Sequence, residues 1–238
     1  MKDPGYHNVV FEPTDRWRST YKQAYCGVVA LRNVQNPGGH AGLEEQKEEL
    51  RRELNARYSG STRDELKSIE EIRAYVDYYR KFKKTYHVLL QLESVVFKGR
   101  DLPPTSALVK TMFMAELKNL LLTAAHDLDT ISPPLKIDVA EGGESYVLMN
   151  GTEQALKPGD MMIADREGII SSIIYGPDRR SRVTPETRNA LYTVYAPPGI
   201  TEEKVLKHMR DIEGYVRLYS PDAETELLEI FGGGAHHD

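Results

Sequence analysis

Cysteine is almost absent from this chain, with Cys26 alone among 238 residues. A single cysteine allows neither an intramolecular disulfide nor a cysteine-based zinc site. Because disulfides are characteristic of oxidising compartments, this composition favours a reducing, cytoplasmic setting.

Long apolar runs are also absent. No stretch approaches the roughly 18 uninterrupted apolar residues of a membrane span. The first residues include Lys2 and Asp3, but no apolar run follows them, so we expect no signal peptide. The sequence therefore predicts a protein that acts without a membrane.

An excess of positive charge is missing as well. The formal net charge is -5 at pH 7. A nucleic-acid partner would therefore need a local basic patch, because the protein as a whole is not a polycation. Hydrophobic residues make up 40% of the chain and charged residues 28%, which is enough apolar material for a core and argues against disorder.

Hydrophobic periodicity divides the chain into a helical first half and a strand-rich second half. An early strand is predicted at 26–34, because this run is β-branched and ends in turn residues. The predicted helices span residues 43–58, 66–82, 86–97 and 106–125, and the later predicted strands span 135–140, 145–150, 161–164, 169–175 and 190–196. A last amphipathic helix is predicted at 201–219, with Thr201 as its N-cap.

This order of elements predicts an α+β fold rather than a doubly wound parallel sheet. No internal repeat or long low-complexity linker divides the chain. We therefore predict a single domain over residues 1–222, followed by a flexible tail at 223–238.

Several short motifs follow one another in a recognisable order. They lie at residues 26–29, 78–82 (YYRKF), 92–99, 126–131 (HDLDTI), 141–146 (EGGESY), 157–160 (KPGD), 163–165 and 182–191. Together they resemble the B3/B4 domain of the phenylalanyl-tRNA synthetase beta chain, over residues 26–196. The resemblance implies a β-sandwich-like core with flanking helices. It also implies contact with tRNA and, in the synthetase, hydrolysis of wrongly attached tyrosine.

One helix departs from the family pattern. The family tends to carry Asp, Asn and Ser at spaced positions of this helix, where the present chain has Lys110, Phe113 and Glu116. Either the pocket is rebuilt for another substrate, or the catalytic function is lost.

Editing of this kind would hydrolyse an activated ester at the tRNA 3′ end. The protein must place a water, stabilise the oxyanion and hold the ammonium group, and it needs no serine or cysteine nucleophile. The candidate catalytic residues are Glu144 and Glu141, in a glycine-rich turn, and His126, whose ordinary pKa lies near neutrality. Each also has a structural interpretation, as a solvated turn or as a helix-end cap.

Two further carboxylates are candidates for binding substrate. Asp127 follows His126, and Glu93 lies on an otherwise apolar helix, where pairing with an arginine is the alternative. The Asp127-Leu128-Asp129 motif has no third ligand at a helpful spacing, so we predict no metal and no other cofactor.

Basic residues near aromatic ones mark two candidate tRNA contacts. One is Arg80, Lys81, Lys83 and Lys84, with tyrosines on both sides, and the other is a loop containing Arg179, Arg180 and Arg182. Cations neutralise phosphates and aromatic rings stack on unpaired bases. The alternatives are a basic helix end favoured by the helix dipole and an ordinary soluble loop.

Three functions remain open from the sequence. The chain is predicted to be a free-standing editing factor that deacylates mischarged aminoacyl-tRNA. The alternatives are a tRNA-binding module without catalysis and a protein that binds a free amino acid or related small molecule. DNA is not an expected partner. We do not expect the synthetase reaction itself, because the sequence shows no adenylate-forming motif and is short for a synthetase core beside this domain.

Overall fold

The computed structural model describes residues 9–234, which contain seven α-helices and eleven β-strands in an α+β fold. The α-helices of this part of the chain are α1 Asp15–Thr20, α2 Ala41–Tyr58, α3 Arg63–Ser68, α4 Glu70–Lys81, α5 His87–Val96, α6 Ala107–Asn119 and α7 Glu202–Tyr219. The strands are β1 Phe11–Pro13, β2 Tyr25–Arg32, β3 Leu122–Asp127, β4 Leu135–Val139, β5 Ser145–Val147, β6 Glu153–Ala155, β7 Met161–Ala164, β8 Ile169–Ser172, β9 Gly176–Pro177, β10 Ala190–Ala196 and β11 Glu224–Gly232.

The strands from the two halves of the chain share a sheet. The four-stranded sheet has the order β11-β2-β10-β3, and all its pairs are antiparallel. Strand β10 is buried at every residue, since it lies in the middle of this sheet and is covered on both faces. The five-stranded sheet has the order β1-β4-β7-β8-β9, and β5 and β6 form a separate hairpin.

Buried tyrosines tie the helices to the sheets. The Tyr79 hydroxyl donates to the carbonyl of Ile173 at 2.6 Å, and the Tyr86 hydroxyl donates to that of Leu120 at 3.0 Å. The rings of Tyr75 and Tyr86 stack with centroids 4.3 Å apart. A buried hydroxyl needs a partner, so the Tyr79 bond fixes α4 against the end of β8, and the Tyr86 bond fixes the start of α5 against the end of α6.

The predicted helix at 106–125 is wrong beyond Asn119. Leu120 has a φ of 60°, in the left-handed region, and its backbone N–H donates the last hydrogen bond of the helix to the carbonyl of Glu116. The chain then turns into strand β3, which pairs with β10. A continuous apolar run fits a buried strand as well as a buried helix, so periodicity alone did not separate the two.

Two other predicted boundaries are corrected. Residues 224–232 of the predicted flexible tail form strand β11, which pairs antiparallel with β2. Residues 235–238 of that tail, and the Met1–Pro4 segment considered for a signal peptide, lie outside the described residues. The predicted helix at 66–82 is two helices, because Ile69 is extended at ψ 131° and separates α3 from α4.

Helix α7 agrees with its prediction. Thr201 is extended, and its side chain accepts from the backbone N–H of Lys204, as an N-cap should. No helix within residues 9–234 has the length and apolarity to cross a membrane.

Candidate functional site

A cavity of about 290 Å³ lies between helix α6, the first residue of α5, and strands β3, β8 and β9. Its wall is mostly apolar and includes Phe113 from α6, Ala124 from β3 and Ile173 beyond β8. For comparison, an engineered apolar cavity of about 150 Å³ holds benzene. The cavity therefore has room for an aromatic or bulky aliphatic group together with a polar substituent.

Glu116 is the carboxyl group of this wall. The residue is only 1% exposed, because α6 presents it inward. Its Oε1 accepts from the backbone N–H of Thr123 at 2.9 Å, whereas its Oε2 has no hydrogen-bond partner among the described residues. Burial raises the pKa of Glu116 to about 8, against the opposing effect of the Thr123 N–H. The carboxyl is therefore mainly protonated at neutral pH.

Two neutral histidines belong to the same region, one in the cavity wall and one bonded to Thr123 of that wall. His87 begins helix α5, lines the cavity and has its pKa lowered to about 4 by burial. His208 of α7 lies with Nε2 2.7 Å from Oγ1 of Thr123, and burial lowers its pKa to about 3. Neither ring supplies a cation at pH 7, so no histidine charge holds Glu116 in its ionised form.

One arginine lines the cavity, and two others lie near it in the chain. Arg182 lines the cavity and is exposed, and its guanidinium donates to the carbonyl of Arg179 at 3.0 Å. Arg179 is exposed as well, and neither side chain pairs with a carboxylate of residues 9–234. Arg180 differs, because it pairs with Asp165 at 2.9 Å and lies 3.7 Å from Asp178. Arg179 and Arg182 are thus the better placed of the three to meet an anion.

The predicted catalytic residues do not line this cavity. Both oxygens of Glu144 accept backbone N–H groups of its own turn, from Glu141 at 2.8 Å and Gly142 at 2.7 Å. These bonds outweigh its partial burial and hold the pKa of Glu144 below its ordinary value. Glu141 pairs with Arg16 at 2.9 Å. Catalytic roles for both glutamates stay predictions.

His126 is fully buried on β3, beyond the cavity wall. Its Nδ1 lies 2.7 Å from the Ser181 hydroxyl, and its Nε2 has no partner among the described residues. Burial, helped by the charge of Arg180, lowers the pKa of His126 to about 3. The ring is therefore neutral, and its catalytic role stays a prediction.

The predicted substrate-binding carboxylates also have protein partners. Oδ2 of Asp127 accepts from the Thr187 hydroxyl at 2.6 Å. Glu93 lies 2.8 Å from Nε of Arg63, which is the arginine pairing considered from the sequence. No cluster of three or more potential metal ligands occurs within residues 9–234.

The basic end of α4 is exposed, as a tRNA contact requires. Lys81 lies over the rings of Tyr21 and Tyr78, and Lys84 lies 5.5 Å from the ring centroid of Tyr175. Arg80 pairs with Asp77 at 3.4 Å, and Lys83 occupies a left-handed position with a φ of 57°. Tyr175 precedes Gly176 of the cavity wall, so this cluster adjoins the β9 side of the cavity. Its tRNA role stays a prediction.

Sequence reasoning singled out part of this site only indirectly. Of the three positions that depart from the family pattern, Phe113 and Glu116 line the cavity. Lys110 instead is buried and pairs with Glu44 of α2. His87 carried no sequence signal, because a histidine at a helix start is ordinary.

The titration of Glu116 predicts a dependence of stability on pH. Above pH 6.5 the folded chain keeps a proton on Glu116 that the unfolded chain, with a pKa of 4.5, has already released. Rising pH therefore favours unfolding, and the free energy of unfolding should fall by about 1–2 kcal/mol between about pH 6.5 and 8. Urea titrations at several pH values should show this slope in the wild type and a flatter one in Glu116→Gln. Parallel curves would contradict it.

Comparisons with known proteins give one family match and one distant structural likeness. The B3/4 domain model matches residues 72–211. An N-terminal fragment of the phenylalanyl-tRNA synthetase beta-subunit from Pyrococcus horikoshii is similar with a TM-score of 0.49 and 13% identity. That alignment covers 92% of this chain and 50% of the fragment, so the chain spans half of the fragment's length. No curated protein matches the chain.

Proposed function

Because this chain belongs to the B3/4 domain family, we propose that it binds tRNA and hydrolyses mischarged aminoacyl-tRNA. The observation that carries the proposal is the cavity of about 290 Å³ with the exposed Arg182 in its wall, hydrogen-bonded to the backbone of the exposed Arg179. The amino-acid side chain would enter the cavity, and Arg182 and Arg179 would meet phosphates of the 3′ end. A tRNA substrate also fits the cytoplasmic setting that the cysteine content favours.

The reaction needs little from the protein. Water attacks the ester carbonyl, the bond to the terminal ribose oxygen breaks, and that oxygen takes a proton as the free amino acid leaves. A cavity that orients the acyl group supplies positioning, and donors near the carbonyl supply stabilisation of the oxyanion. A second site of this kind is useful because one binding pocket discriminates poorly between side chains that differ by a small group.

The test is deacylation of a panel of mischarged tRNAs by the purified protein, under single-turnover conditions. We expect release of one class of amino acid, with the correctly charged tRNAs stable. Heat-inactivated protein and uncatalysed hydrolysis are the controls. No release from any tRNA would reject hydrolysis and leave the two binding functions.

The second candidate is a protein that binds a free amino acid or related small molecule without RNA. The apolar cavity with a buried carboxyl favours it, because these features require only a small ligand. The two candidates differ in their need for tRNA. Binding of free amino acids without any affinity for tRNA would select this second function.

The basic end of α4 gives a prediction for tRNA affinity. Alanine should replace the four basic residues Arg80, Lys81, Lys83 and Lys84. This variant should bind tRNA more weakly, and the slope of log affinity against log salt should be smaller by up to about 3, because fewer counterions are released on binding when phosphate contacts are lost. A filter-binding titration at several salt concentrations measures the slope.

A matched control removes four other cations, and its salt slope should stay within error of the wild type. These are the α2 and α3 residues Arg51, Arg52, Arg57 and Lys67. Equal losses in the two variants would show a general charge effect and exclude the α4 cluster as the tRNA contact.

A further inference from the structure

Burying the Glu116 carboxyl lowers the stability of the fold, unless the carboxyl binds a ligand in the cavity. The side chain lies in an almost wholly apolar wall, is 1% exposed and leaves Oε2 without a partner among the described residues. A buried polar atom without a partner normally costs stability, so it calls for an explanation. Here the unpartnered atom belongs to a group that lines a cavity large enough for a ligand.

The direction of the missing hydrogen bond follows from the bond that exists. A backbone N–H only donates, so Oε1 of Glu116, which faces Thr123 N at 2.9 Å, is the acceptor. In a neutral carboxyl the carbonyl oxygen is the stronger acceptor, and the proton then sits on Oε2. An acceptor on the ligand is the natural partner for that proton.

The surroundings of Glu116 favour the neutral form. The titratable groups around it are Tyr75 and Tyr79 from α4, Tyr86 just before α5, His87 at the start of α5, and His208 of α7 beyond Thr123. All of these groups are neutral at pH 7, because burial lowers the pKa of both histidines and raises that of the tyrosines. Arg182 is the cation of the wall and lies at its exposed mouth.

We propose that Glu116 acts as a neutral carboxylic acid that donates a hydrogen bond from Oε2 to a carbonyl oxygen of the ligand. The ligand is a carbonyl compound whose aromatic or bulky aliphatic body fills the apolar cavity. The identification of this carbonyl with the ester of an aminoacyl group rests on the proposed function. In that case the same donor also stabilises the oxyanion, since an acid kept neutral in an apolar site can donate to developing negative charge.

Two probes of nearly equal size separate a donating acid from a cation-binding carboxylate. One is 4-phenylbutan-2-one, which offers only an acceptor, and the other is 3-phenylpropan-1-amine, which is a cation at neutral pH. At pH 6.5 the ketone should bind at least about tenfold more tightly than the amine, as followed by NMR titration of the amide signals. Raising the pH to 9.5 should weaken ketone binding by about tenfold or more, because Glu116 then loses its proton.

Two variants of Glu116 complete the test. Glu116→Gln keeps an acceptor for Thr123 N–H and a donor at the Oε2 position, so it should bind the ketone within about threefold of the wild type, with no dependence on pH. Glu116→Met should lose about tenfold or more in affinity. If the Met variant is poorly folded, the pH independence of the Gln variant still decides the question.

The opposite pattern would overturn the proposal. In that pattern the amine binds more tightly than the ketone, and the affinity for the amine rises with pH. Glu116→Gln then loses amine binding, which would identify an ionised carboxylate. Neither probe binding at any pH would reject it too. Because the probes contain no tRNA, the two proposals can fail separately. If the ketone binds as expected but no tRNA is deacylated, the proposed function is rejected and the role of Glu116 stands.

Discussion

Replacing Ala124 with phenylalanine should abolish hydrolysis, with a loss of at least about a hundredfold in the single-turnover rate. Ala124 is a small, buried residue of β3 on the cavity wall. A phenyl ring takes up a large part of a cavity of about 290 Å³, given that benzene fits a cavity of about 150 Å³. The side chain of the substrate would then have no place to enter.

The stability and the tRNA affinity of this variant are the informative controls. Because the new ring fills existing space, the melting temperature should stay within a few degrees of the wild type or rise. The basic residues of α4 and the 179–182 loop are unchanged, so tRNA affinity should stay within about twofold. A matched variant, Ala155→Phe, adds the same ring at an exposed position of β6 and should keep the wild-type rate.

A wild-type rate in a folded Ala124→Phe variant would show that the cavity is not the substrate site. Loss of rate together with loss of tRNA affinity would indicate damage beyond the cavity. The same pair of variants can be tested with 4-phenylbutan-2-one, which links the hydrolysis result to occupancy of the cavity itself.

Two glycines that belong to or face α7 should respond in opposite directions to alanine. Gly27 of β2 lies under this helix, and a Cβ atom there would be 2.6 Å from Sδ of Met209 and 2.8 Å from Cγ1 of Val205. The methionine end can move, but the β-branched valine is stiff. Gly27→Ala should therefore lower the free energy of unfolding by about 1–3 kcal/mol through overpacking.

Gly214 supplies the matched control. It is exposed within α7, and a Cβ atom there would meet nothing within 4 Å. Gly214→Ala should raise the free energy of unfolding by about 1 kcal/mol, because alanine loses less backbone entropy in a helix.

Thermal melts should separate the two glycine variants clearly. For a chain of this size, about 1 kcal/mol corresponds to roughly 2–4 °C. The melting temperature should fall for Gly27→Ala and rise for Gly214→Ala. A neutral or stabilising Gly27→Ala would mean that α7 does not pack against β2 as closely as the distances indicate.

Local signals in the sequence determined much of the fold. Helix α7 begins at the predicted Thr201 cap, because the N-cap hydrogen bond joins the Thr201 side chain to the backbone N–H of Lys204, only three residues away. Strands β4, β7 and β10 lie within their predicted ranges, since β-branched runs bounded by turn residues carry their own information. The α+β class followed from the order of such elements.

Long-range contacts decided what the sequence did not. Strand β3 looked helical because Leu122 to Ala125 continue an apolar run, and only pairing with β10 makes them a strand. Strand β11 has a half-exposed pattern that predicts little by itself, and β2 supplies its hydrogen bonds from about 200 residues away along the chain.

The cavity is likewise a product of tertiary structure. The motif around Glu144 looked functional in sequence, but its carboxylate bonds to its own turn. Glu116 looked like a departure from a family pattern, and the packing of α6 against β3 places it in the cavity wall. A turn is held by hydrogen bonds between residues that are neighbours in the sequence, so the sequence can predict it. A cavity is bounded by elements distant in sequence, so which side chains line it is decided only when those elements pack together.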